Sequence, residues 1–91
     1  MDPREMFRAQ FVEIARKRWD HIASLVDGDL RGAASELHCL SGEASMLDFG
    51  KVSDLATVAE DAARTGDAGR LRSLLSELAV AIRAVEERSE G

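Results

Sequence analysis

Apolar residues recur at intervals of three and four along four stretches of the chain. The first runs through Val12, Ala15, Trp19, Ile22 and Val26, with Phe11 and Leu25 at its edge. The second is Leu30, Ala33, Leu37, Leu40, Ala44 and Leu47; the third Val52, Leu55, Ala59 and Ala62; the fourth Leu71, Leu74, Leu78, Ile82 and Val85. This spacing collects each set on one face of an α-helix and differs from the strict alternation of a half-buried strand. Polar and glycine punctuation separates the stretches. Asp2 and Pro3 read as an N-cap and a proline at the first helical position, where the missing N–H costs nothing. Asp27, Gly28 and Asp29 supply a glycine able to turn left-handed and an aspartate to cap the second helix. Thr65, Gly66 and Asp67 repeat that arrangement. Between them, Asp48, Phe49 and Gly50 form a break in which Asp48 must do what glycine does more easily.

Helices are therefore expected over about 3–26, 30–47, 51–64 and 68–88 of one domain spanning 1–91. The third start is open between 50 and 54, with Ser53 a candidate cap, and the polar tail 86–91 is expected to fray. Phe7 and Phe11 are expected to cover one end of the core. Connections of a few residues make successive helices antiparallel, so the expected fold is all-α, an up-down-up-down four-helix bundle.

Composition narrows the function classes. Ninety-one residues hold one domain with one modest core, and 45% hydrophobic against 4% aromatic content means packing through small aliphatic side chains. The net charge of −5 argues against nucleic-acid binding, which calls for a basic face. A lone cysteine, Cys39, allows no internal disulfide or cysteine-based zinc site and suits a reducing cytosol; it is expected to be inert and half-buried. No run approaches the ~18 apolar residues of a membrane span, and the N-terminus lacks a signal peptide's pattern, so a cytoplasmic location is expected. Arginine outnumbers lysine and alanine is abundant, as in GC-rich bacterial genomes. A monomer is expected, because the first helix shows no leftover apolar stripe.

The candidate chemistry lies in the second stretch. At roughly 100° per residue, His38 sits about 130° from the centre of its helix's apolar stripe, and Gly42, one turn on, lies almost opposite that stripe. Both should face water. Glycine there costs about 1 kcal/mol relative to alanine, and the benefit that offsets it is access: a partner can bring backbone or a bulky group down onto the imidazole. Small residues flank the pair, Ala34, Ser35, Ser41 and Ser45, and are expected to be exposed around a docking surface. Arg31 on the same face and Lys51 beyond the turn are the candidate cations, though Arg31 is about 10.5 Å away along the axis. Neutral imidazole is a nucleophile near pH 7 and can attack a phosphoryl group. No glycine-rich phosphate loop or metal-binding cluster accompanies it, so a partner would supply the catalytic machinery. Elsewhere, His21 reads as a structural or surface histidine and Trp19 as core, while Glu36, Glu43 and Asp48 look like a solvated acidic face with no acid and base roles pushed apart.

The run from His38 to Glu60 resembles the signature of histidine-containing phosphotransfer (HPt) domains, a phosphoacceptor histidine followed by xxKG, small residues, an LGF-like turn and LxxLAxxxE. The matching residues are His38, Gly42, Ala44, Leu47, Phe49, Val52, Leu55, Ala56 and Glu60. Ser41 stands where the family usually has lysine, and Asp48 where it usually has glycine. The resemblance implies a four-helix bundle without cofactor or metal, a carrier rather than an enzyme, exchanging a phosphoryl group between His38 and a response-regulator receiver domain or a histidine kinase. The alternative is an HPt-like binding or regulatory module that docks a receiver or kinase without being phosphorylated.

Overall fold

The computed structural model describes residues 2–88, which form four helices: α1 (Pro3–Leu25), α2 (Leu30–Met46), α3 (Gly50–Arg64) and α4 (Ala68–Arg88). The part of the expected frayed tail beyond residue 88 lies outside the described residues; residues 86–88 continue α4. Aspartates cap three of the four starts. Asp2 accepts from the Arg4 amide at 3.0 Å, Asp29 from Gly32 at 2.9 Å and Asp67 from Arg70 at 3.0 Å, each satisfying an orphan donor of the first turn. A side chain at Gly32 would displace the Asp29 cap. A β-carbon at that position would meet the Asp29 carboxylate at 2.5 Å.

α3 begins differently from expectation. Phe49 is its N-cap with no side-chain cap bond, and Ser53, the candidate cap, lies inside the helix with its hydroxyl on the Ser41 carbonyl at 3.2 Å. α1 ends at Leu25 with Val26 still right-handed, and Gly28 does not have a positive φ; the turn closes through the Gly28 and Asp29 amides on the Leu25 carbonyl.

The ends of α2 and α3 share one design. In α2 the Phe49 amide bonds the Ala44 carbonyl and the Asp48 amide bonds Ser45; in α3 Asp67 bonds Ala62 and Gly66 bonds Ala63. Both are the paired C-terminal bonds that need a left-handed residue just past the helix. Gly66 supplies it with φ 78° and Asp48 with φ 64°.

Each helix packs on its chain neighbours, and α4 closes the ring against α1. The core is wholly apolar: among the described residues no polar or charged side chain is buried. Ile22, Leu37, Leu40, Leu71, Leu78 and Val52 are its largest fully buried members. The buried residues of α2 and α3 are mostly small, Ala33, Ala34 and Ala44 on one helix and Ala56, Ala59, Ala62 and Ala63 on the other. Small contact residues bring helix axes to the short end of the usual 8–10 Å separation.

Directional contacts lie at the rim. Trp19, packed against the core, donates its indole N–H to the Leu75 carbonyl at 2.8 Å and so ties α1 to α4. Phe11 is buried and meets Phe49 with ring centroids 4.8 Å apart, but Phe7 is 54% exposed and does not close the core end. Arg18 of α1 grips α2 through both Glu43 oxygens, at 2.7 and 2.9 Å, and Glu36 at 2.9 Å. The Glu43 bond above all raises the guanidinium pKa, against a smaller opposing effect of desolvation. Glu36 and Glu43 are thus a clamp, not the solvated acidic face expected. Arg16 pairs with Glu86, and Arg72 with Asp27.

Candidate functional site

α2 turns its buried stripe toward the core and leaves His38 on the opposite side, its side chain 73% exposed. The imidazole leans toward α3. Its Nδ1 lies 3.3 Å from Oε1 of Glu60, a carboxylate only 13% exposed in the α2–α3 seam. A carboxylate can only accept, so the contact uses an N–H at Nδ1 and leaves Nε2, the other ring nitrogen, outside it.

Gly42 is exposed, and a β-carbon there would meet nothing within 4 Å. The domain's own packing therefore does not call for glycine at this position. Ser35 and Ser45 are exposed, as are Arg31 and Lys51. Two flanking residues differ from expectation. Ala34 is 5% exposed, because α2 packs against helices on both sides and buries a wider arc than one stripe. Ser41 is half-buried and turned into the seam, its hydroxyl 2.8 Å from that of Thr57 and 3.4 Å from the Ser53 carbonyl. Cys39, expected to be half-buried, is exposed beside His38.

The seam also holds residues that the sequence reading did not assign to the site. Glu60 entered only as the last residue of a family pattern, 22 positions from His38. Arg64, one turn further along α3, puts Nη2 2.5 Å from the second Glu60 oxygen. The only sequence signal for that pair is the i, i+4 spacing of opposite charges. On the α1 side, His21 is exposed with Nδ1 3.2 Å from Glu36 and takes no part in the His38 site.

No group of three or more His, Cys, Asp or Glu residues that could hold a metal ion occurs among the described residues. Nor is any described helix long and apolar enough to cross a membrane. The arrangement offers an exposed imidazole with a carboxylate partner on one ring nitrogen and the other ring nitrogen outside that contact.

A family model described as the Hpt domain matches residues 6–88. No curated protein and no solved structure matches the chain. Hpt domains are phosphocarrier modules of phosphorelay signalling that meet receiver domains or kinases. The match runs from the first turn of α1 to the last residue of α4 and takes in His38, Gly42 and Glu60: the chain belongs to the Hpt domain family.

Proposed function

We propose that this domain is a phosphocarrier in which His38 takes a phosphoryl group from one partner and yields it to the next. The observation that carries the reading is the exposed imidazole with Nδ1 on Glu60 and Nε2 free. In the forward step the Nε2 lone pair attacks the phosphorus of an aspartyl phosphate. The Nε2–P bond forms as the P–O bond breaks, and the electron pair leaves with the aspartate carboxylate. The ring becomes cationic while keeping its Nδ1 proton, and the Glu60 carboxylate stabilises that charge. The domain only positions, so the partner brings the metal and the groups that neutralise the transferring phosphoryl; the domain has no turnover of its own.

The partner is a response-regulator receiver domain, a histidine kinase or each in turn, met over Gly42, Ser45 and Ser35 by a monomeric cytoplasmic protein of bacterial type. Purified domain incubated with kinases and phosphorylated receivers should acquire an acid-labile label that His38→Gln abolishes. The His38→Gln bundle should stay folded within about 0.5 kcal/mol, since the site is exposed. Label that persists in the variant would end the assignment to His38.

A docking module without phosphotransfer is the rival reading, favoured by Ser41 standing where the family has lysine and facing the seam. Receiver binding that survives His38→Ala, with no label on wild type, would select it.

A further inference from the structure

We propose that Arg64 is the cation that compensates the phosphorylated form of His38, in place of the lysine that the family pattern puts at position 41; this rests on the phosphocarrier reading. Ser41 cannot serve, because its neutral hydroxyl is engaged with Thr57 and Ser53. The two cations suggested by the sequence are less well placed. Arg31 lies seven residues from His38 along α2, and Lys51 sits in the first turn of α3, nine residues before Glu60.

Arg64 is connected to the imidazole through one carboxylate. Glu60 places Oε1 3.3 Å from His38 Nδ1 and Oε2 2.5 Å from Arg64 Nη2. In the resting site the Glu60 carboxylate has the Arg64 guanidinium as its paired cation. A phosphoryl group on Nε2 adds one to two negative charges against a ring that gains one positive charge, which the Glu60 carboxylate already offsets. The guanidinium is then the nearby positive charge.

It is also open to solvent. Its side chain is 62% exposed, whereas Glu60 is anchored at 13%. Arg64 borders an open groove with Arg31, Ala34 and Ser35, and Ser35 is one turn before His38 on α2. The long side chain can keep one nitrogen near Glu60 and turn its fork to phosphoryl oxygens, the geometry for which arginine is suited. Arg64 is thus a positioning and charge-compensating residue acting beside the reacting nitrogen.

The test needs no cognate partner. Phosphoramidate phosphorylates histidine directly: its N–P bond breaks, the Nε2–P bond forms and ammonia leaves. The second ionisation of the phosphoryl group is then titrated by phosphorus NMR in wild type, Arg64→Ala, Arg64→Lys and Arg31→Ala. Loss of a cation several ångströms away in a water-like medium should move that ionisation upward by about half a pH unit in Arg64→Ala. Arg64→Lys should retain most of the wild-type value, and Arg31→Ala should move it less than Arg64→Ala does. An unchanged titration in Arg64→Ala, or an equal shift in Arg31→Ala, would overturn the role of Arg64 and leave the phosphocarrier intact. No phosphohistidine signal from wild type would overturn both.

Discussion

Replacing Arg18 with methionine removes the clamp between α1 and α2 while keeping most of the apolar stem. Three charge-assisted hydrogen bonds disappear, two to Glu43 and one to Glu36. Bonds of this kind contribute about 1.5–3 kcal/mol each when well shielded, and fully exposed pairs about 0–1 kcal/mol. The side chains here are 27%, 25% and 33% exposed, so each carboxylate counts for roughly 1 kcal/mol after screening, about 2 kcal/mol in all. A domain of this size loses about 4–8 °C of Tm per kcal/mol, which gives a fall of about 8–16 °C in a thermal melt followed by circular dichroism. The same substitution in a Glu36→Gln, Glu43→Gln background should cost much less, because the charges it would strand are gone. A fall of under about 3 °C, as for an ordinary surface change, would refute the clamp. An equal fall in both backgrounds would assign the energy to packing of the arginine stem.

Gly42→Ala should stabilise α2 by about 1 kcal/mol, since the added methyl meets nothing within 4 Å, yet slow transfer from a phosphorylated receiver; an unchanged transfer rate would show that access is not what glycine provides. Asp48→Gly should raise stability by about 1 kcal/mol in chemical denaturation by relieving the left-handed backbone at φ 64°, and a loss would mean that the carboxylate supports the turn. Ser41→Lys should cost about 1 kcal/mol through the lost hydroxyl bond to Thr57, and a wild-type melt would show that this bond contributes no net stability.

The helices were legible because periodicity and caps agree. The aspartates at positions 2, 29 and 67 bond the amides that a helix start leaves orphaned, and Asp48 takes the backbone conformation that its place in the pattern demanded. His38 facing water followed from angle alone. Angle fails where a helix has two neighbours: Ala34 is buried and Ser41 faces a second helix, because α2 is contacted by both α1 and α3. What links His38 to Glu60 and Arg18 to Glu43 is the axial register of one helix against another, which no single-helix pattern contains. Leu47, read as the last member of the α2 stripe, is instead 38% exposed just past the helix end, and Met6, Phe7, Ile14 and Met46 are exposed as well.

The close packing of α2 on α3 acts as the gauge of the contact between His38 and Glu60. At 3.3 Å the bond from His38 to Glu60 is already just beyond the usual 2.7–3.2 Å span for such contacts, so moving the two axes apart by about half an ångström would break it. Nothing in the imidazole or the carboxylate sets that clearance; it follows from how closely α2 and α3 pack, and the buried residues of both helices are largely alanines, methyl groups with no polar atom to offer. The contact of an exposed histidine is in this way held by the thinnest side chains of the interior, and a bulkier core would part His38 from Glu60 without touching either.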